Sequence, residues 1–265
     1  MCDSNDKVLS DYNLEVTYYS IGKDLKLENI VLNDDEWLYV VNYYGQLTDE
    51  YIHSLKKKYD RIIIDNAHAY FQRPSASIDT IYTCRKFFGV SDGAILYTDS
   101  KIDREFPVDE SLDRINFLVG RLERTASEFY SEYAANNDLF FDEPIKKMSK
   151  FTENILHGID YDFIEKRRTD NFRIYHENLA SVNKLDLVIP KGAFMYPFYT
   201  ENGAAIRKKL LEKKIYIPTL WPNVIDNCTE NENEYDLAKN ILPLPCDQRY
   251  SDKEINYVIE AVKNV

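Results

Sequence analysis

The chain has 265 residues, 44% of them hydrophobic, and a formal net charge of −12. That length can bury a sizeable core, and the acidic balance argues against nucleic acid as a main partner, because phosphate contacts demand a basic surface. No apolar run approaches the length of a membrane span, and the first residues, Met1-Cys2-Asp3-Ser4-Asn5-Asp6, lack the basic start and apolar core of a signal peptide.

Taken in chain order, strands and helices alternate. Glu15–Tyr19 reads as a strand, and Trp37–Tyr44 as a second, stopped by Gly45. Thr48 can cap a helix to about Lys58, with Tyr51, Ile52 and Leu55 on one face. Arg61–Ile64, Ile78–Tyr82 and Ala94–Tyr97 are three further strands. From Asp109 to Ala135 the apolar residues Leu112, Ile115, Leu118, Leu122, Phe129 and Tyr133 recur at helical intervals. A helix over Phe163–Ala180 follows, then a strand at Ala193–Phe198, a helix at Ala204–Lys213 and a last helix from Ser251, which has a capping box with Glu254. Asn227–Glu234 is polar and reads as a loop. Continuous apolar strands between helices predict an α/β fold with a mostly parallel sheet flanked by helices. A large lobe over residues 1–160 and a small C-terminal αβ domain over 161–265 are expected. Cys2, Cys84, Cys228 and Cys246 have neither CxxC spacing nor a paired His/Cys ligand pattern, so no metal site and no disulfide frame is expected, and reduced thiols in a cytoplasm are the economical reading.

The chemistry concentrates at Asp65 and Lys86. Asp65 ends the β-branched run Ile62-Ile63-Ile64, and Lys86 follows the next short apolar stretch. Ligands of parallel sheets sit beyond the carboxyl ends of the strands, where both residues fall. An Asp after a strand also serves as a helix N-cap, and a single Lys as a solvated surface group. A carboxylate and an amine so placed can grip the two ends of one flat cofactor. Pyridoxal phosphate needs that arrangement: a carboxylate to keep the pyridine nitrogen protonated and an amine to form the Schiff base and move protons.

The segments IIIDNAHAYF and DTIYTCRKFFGVSDGAILYT resemble the cofactor-binding core of the DegT/DnrJ/EryC1/StrS sugar aminotransferases, which are fold-type I enzymes. The resemblance is clearest from Glu36 to Thr98 and continues weakly through Ala193–Phe198 and Ser251–Ile259. It implies pyridoxal 5'-phosphate as cofactor, a nucleotide-linked keto-sugar as substrate, glutamate as amino donor, and a homodimer. The setting it implies is bacterial polysaccharide (lipopolysaccharide, O-antigen, capsule) or antibiotic sugar synthesis. By the same resemblance Asp65 pairs with the pyridinium nitrogen, His68 lies by the ring and its phenolic oxygen, and Lys86 is the catalytic Schiff-base lysine. Related sugar dehydratases carry His at that position. Relatives often place Ser five residues before the lysine, where this chain has Ile81; Thr83 is then the expected phosphate contact, and Arg85 reads either as a cation for the phosphate or as a solvated group. Trp221 lies in a segment that resembles the one approaching the active site, and reads equally as a core or interface residue. In Ile145-Lys146-Lys147-Met148-Ser149, Lys147 stands where relatives reach across the dimer with Arg, while the accompanying Asn is missing.

Relatives also place a phosphate-binding turn ahead of the segment matching Glu15–Tyr19. The chain is therefore expected to be N-terminally truncated relative to the family, and to hold the cofactor poorly as it stands. That expectation carries a second reading, a catalytically degenerate member that keeps the fold as a structural or interaction subunit. The basic run Lys166-Arg167-Arg168 reads either as a solvated helix face or as a contact to the diphosphate of a nucleotide.

Overall fold

The structure, a computed structural model, describes residues 3–264; Cys2 lies outside them. Helix α1 (Asp3–Asp11) is followed by a two-stranded antiparallel hairpin, β1 (Ser20–Ile21) and β2 (Leu27–Glu28). The main sheet then forms from β3 (Leu38–Val41), β4 (Ile62–Asp65), β5 (Asp79–Thr83) and β6 (Ala94–Tyr97), in that order across the sheet, with α2 (Asp49–Lys58) between β3 and β4. After it come α3 (Asn116–Glu123), α4 (Tyr130–Leu139), α5 (Lys150–His157) and α6 (Tyr161–Leu179). The C-terminal part contains β7 (Met195–Tyr199), α7 (Gly203–Glu212), α8 (Pro222–Asn227), α9 (Asn233–Asn240), β8 (Ile241–Pro245) and α10 (Asp252–Lys263), with β7 and β8 paired antiparallel.

Helix α2 starts where Thr48 accepts a hydrogen bond from the Tyr51 N–H. Asp49 and Glu50 in its first turn and Lys56, Lys57 and Lys58 in its last complement the helix dipole. Its buried Ile52 and Leu55 pack on Leu38, Val40, Ile62, Ile64 and Ile78. The strand alternation that buries Leu38, Val40, Ile62 and Ile64 puts Tyr39, Val41, Ile63 and Asp65 on the opposite face. Parallel register brings Val41, Asp65 and Ile81 abreast. The site therefore grows on the face that α2 does not cover.

Two of the three strand pairings are parallel, as expected, but β6 runs antiparallel to β5. The short segment 84–93 explains this, since a parallel crossover needs about a dozen residues or more. The expected strand at Glu15–Tyr19 does not form. The Val41 N–H on the free edge of β3 instead donates to the Tyr19 hydroxyl at 3.2 Å, so a phenol occupies the place of a neighbouring strand. The long helix expected over Asp109–Ala135 is broken. Thr125 and Glu128 form a capping box that starts a new turn, and Phe129 packs so closely on Gly120 that a Cβ there would overlap its ring.

The C-terminal core gathers Phe172, Tyr175, Leu179, Tyr196, Leu242, Leu244, Ile255 and Ile259, all buried. Helix α10 begins at the anticipated Ser251–Glu254 capping box. Strand β8 forms although its sequence, Ile-Leu-Pro-Leu-Pro, argues against a strand. Its Pro243 sits opposite Pro197 of β7, two residues lacking N–H donors facing each other in one antiparallel pair. Helix α5 starts where Ser149 accepts from the Thr152 N–H. Helices α8 and α9 take the two ends of the polar stretch 227–234 and leave 228–232 between them.

Candidate active site

Asp65 closes β4. Its backbone oxygen accepts from Asn42 N at 3.0 Å, and the next amide, Asn66, donates to Ile81 O at 2.8 Å, so the carboxylate stands between two neighbouring strands at their carboxyl ends. Oδ1 accepts the Ala67 N–H at 2.8 Å and Oδ2 accepts the Tyr39 hydroxyl at 2.9 Å. Asp65 is buried. Among the described residues it forms no ion pair. Buried carboxylates are ordinarily paired, because leaving one without a cation is costly. Burial first, and then the Asp65 charge, push the Tyr39 hydroxyl well above its ordinary range, so Tyr39 remains a donor.

Lys86 stands on the turn that follows β5. The Phe87 and Phe88 amides both donate to Cys84 O, at 3.1 and 3.0 Å, and this tight turn leaves the lysine exposed. Its Nζ lies 5.7 Å from the centroid of the Phe194 ring. The Phe194 ring also packs against His68, with centroids 4.2 Å apart, and Trp221 lies 5.4 Å from His68. His68 Nδ1 accepts from the Tyr44 N–H at 3.4 Å, which assigns the proton to Nε2. Burial, and then the Lys86 charge, hold the imidazole well below its ordinary pKa, so the ring is neutral at neutral pH and its Nε2–H is a donor. Trp221 adopts a left-handed φ of 54° immediately before Pro222 and packs edge-on against Tyr43 at 4.9 Å. A proline disfavours the right-handed helical region for the residue before it.

The fold thus brings His68, three residues downstream of Asp65, and Lys86 beside Phe194, with Trp221 packed on His68. It treats the other candidates differently. Thr83 is half-buried on the face that carries Ile81 and Asp65, opposite Ala94. Arg85 turns toward α4: its guanidinium lies 4.4 Å from the Phe140 ring and donates to Asn137 Oδ1 at 2.8 Å. Lys147 is exposed on a segment whose backbone bridges Val108. Neither of these two is gathered with Asp65.

The run 166–168 is neither wholly solvated nor a free cationic face. Lys166 pairs with Asp170, Arg167 donates to Tyr250 O and Asp252, and Arg168 is 1% exposed. Tyr39 and Phe194 also carry the site without having been singled out. For Tyr39 the signal was present: two residues before Val41, it must share a face with Asp65 once β3 and β4 align. Among the described residues, no group of three or more His, Cys, Asp or Glu side chains is placed to hold a metal ion, and no helix is long and apolar enough to cross a membrane.

No protein-family model matches the chain, and no curated protein matches it. Solved structures do. The E. coli GDP-4-keto-6-deoxy-D-mannose-3-dehydratase, determined with bound hydrated PLP, superposes with a TM-score of 0.62 at 14% identity, covering 96% of this chain and 75% of that one. PseC of Helicobacter pylori, an aminotransferase of pseudoaminic acid biosynthesis, gives 0.58 at 12% identity, covering 97% and 75%. DesV from S. venezuelae gives 0.52 at 16% identity, covering 86% of this chain. The chain spans 64% of the length of DesV, under two thirds of it. At such identities the likeness shows the fold. The chain has the α/β architecture of the fold-type I, pyridoxal-phosphate-dependent sugar aminotransferases and dehydratases, in agreement with the sequence resemblance.

Proposed function

We propose that the chain is an aminotransferase-like protein that uses pyridoxal phosphate on a nucleotide-linked keto-sugar. The observation that carries this reading is Asp65, a buried carboxylate without an ion pair at the carboxyl end of a parallel strand, with Lys86 on the turn after the next strand. The residues fit the group. A carboxylate in that state calls for a cationic N–H, and a pyridinium supplies one. Pyridoxal phosphate, when bound, contributes an electron-withdrawing ring and a carbonyl carbon for an amine.

Asp65 would keep the ring nitrogen protonated. Two donors, the Ala67 N–H and the Tyr39 hydroxyl, hold its carboxylate in one orientation. His68, neutral and with Nε2–H available, would donate to the phenolic oxygen. The exposed Lys86 supplies the amine and moves protons, with room for a substrate to reach it. Thr83, on the same face, is the nearest candidate for the phosphate. Phe194 and Trp221 each pack on His68 and keep its buried ring from water. The solved dehydratase shares the fold, so the fold does not choose between amination and dehydration. Lys86 does, because by the family resemblance dehydratases carry His there.

By the same reading the amino donor is glutamate, the active form is a cytoplasmic homodimer with Lys147 directed to the neighbouring subunit's substrate or phosphate, and the product enters surface polysaccharide or antibiotic sugar synthesis. Residues 1–160 form the cofactor-binding lobe and 161–265 the small one. One observation favours a second reading, a structural subunit without catalysis. Arg85, the cation beside Lys86, is turned away toward α4, where it donates to Asn137. The test is reduction of the protein with borohydride after addition of pyridoxal phosphate, followed by peptide mapping. Cofactor fixed on Lys86 supports the enzyme, and none fixed on it supports the subunit.

A further inference from the structure

Arg168 is the largest fully buried side chain among the described residues, and its contacts converge on the segments that carry Lys86 and Phe194. From α6 it donates through Nη1 to Ala193 O at 3.0 Å and Phe194 O at 3.4 Å, and through Nη2 to Phe87 O at 3.4 Å. Its Nε donates to Gln248 Oε1 at 2.6 Å, and Asp247 balances its charge at 3.6 Å. Gln248 in turn donates through Nε2 to the same Phe87 carbonyl at 3.0 Å. The guanidinium also lies 4.7 Å from the Phe87 ring.

Phe87 is the residue after Lys86, and Phe194 is the ring beside which the Lys86 ammonium sits. One planar fork therefore ties together the carbonyl of the residue after the lysine, the backbone at Ala193 and Phe194, and the C-terminal loop before α10. We propose that Arg168, with Gln248, is a positioning residue that sets the location and reactivity of Lys86 by fixing the Phe87 carbonyl. A lysine at 168 cannot do the same. A single ammonium has no rigid fork to span carbonyls on separate segments, whereas a guanidinium presents five donors in one plane. The arrangement couples the loop 247–248 to the turn 84–88, so a displacement of the C-terminal part reaches the amine directly.

The inference rests on Lys86 being the reactive amine of the proposed function, and its test reads the amine without cofactor. The wild-type protein and the variants Gln248→Ala and Arg168→Lys are labelled with trace acetic anhydride. Acetylation of Lys86 is measured by peptide mass spectrometry relative to Lys101, which is exposed and distant in sequence. Far-UV circular dichroism confirms that each variant is folded. The expected result is a change in the Lys86/Lys101 ratio of about threefold or more in folded Gln248→Ala, since small misplacements of reacting groups change rates steeply, and a larger change in Arg168→Lys. Gln248 is only half-buried, so Gln248→Ala decides the question if Arg168→Lys does not fold. A ratio equal to that of the wild type in Gln248→Ala overturns the proposal. If added pyridoxal phosphate fails to reach Lys86 in the wild type, the function is wrong, while the labelling ratio still reports on Arg168 separately.

Discussion

The Tyr39 hydroxyl donates to Asp65 Oδ2 at 2.9 Å across two adjacent parallel strands, and the Ala67 amide holds Oδ1 at 2.8 Å. The carboxylate on which the proposed chemistry depends is thus oriented by a phenol from β3 and by its own backbone two residues on. Tyr39→Phe keeps the ring packing and removes the hydroxyl, which donates to Asp65 and accepts from Asn5 Nδ2 at 3.4 Å. Hydrogen bonds to charged groups are worth about 1.5–3 kcal/mol, so the variant should lose that much stability in urea at an unchanged m-value. Equal midpoints for Tyr39→Phe and wild type would show that the bond is not formed in solution.

Loss of the Asp65 charge removes the partner of the ring nitrogen but leaves the amine of Lys86. Asp65→Ala should still be labelled at Lys86 by pyridoxal phosphate and borohydride, while transamination falls by orders of magnitude, because stabilising developing charge is commonly the largest catalytic contribution. Retained activity in Asp65→Ala contradicts the assigned role.

His68 gives a pH dependence of defined sign. Its folded pKa lies below the ordinary value, so the unfolded chain binds the proton more readily. Stability then falls as pH drops below the unfolded value of about 6.5, by at most about 1.4 kcal/mol per pH unit from this one group. Urea unfolding at pH 7.5 and 5.5 should show a larger loss for the wild type than for His68→Phe. The same loss in both proteins would mean that His68 titrates normally.

Exposed apolar side chains cluster in the segment 112–145, where Leu112, Leu122, Tyr130 and Ile145 are all exposed. With the two-fold assembly implied by the family resemblance, this predicts a dimer at micromolar concentration, since closed two-fold pairs are the commonest soluble oligomers. Light scattering at the monomer mass of 31.2 kDa would rule that assembly out.

The main sheet was legible in the sequence because its strands are short β-branched runs ended by polar residues, and Asp65 and Lys86 stood out for the same reason. What was not legible depended on tertiary partners. Whether 15–19 pairs as a strand is decided by the Tyr19 hydroxyl reaching Val41, which no local pattern records. Strand β8 is hidden by its prolines, of which Pro243 faces Pro197 and Pro245 faces Met195 in the pair with β7. Arg168 reads as part of a solvated helix face or of a diphosphate contact until the fold supplies four acceptors around it. Arg85 looked like a phosphate contact by its place beside Lys86, but α4 supplies Asn137 and the ring of Phe140 that draw it away.

The most direct test of the account is the site of covalent attachment of the cofactor. Wild-type protein is mixed with excess pyridoxal phosphate, its visible spectrum recorded, and borohydride added before digestion and mass spectrometry. The account predicts a visible absorption band, a reduced pyridoxyl adduct on Lys86, and loss of both in Lys86→Ala. Attachment to another lysine such as Lys101, or an unchanged band and adduct yield in Lys86→Ala, would contradict it.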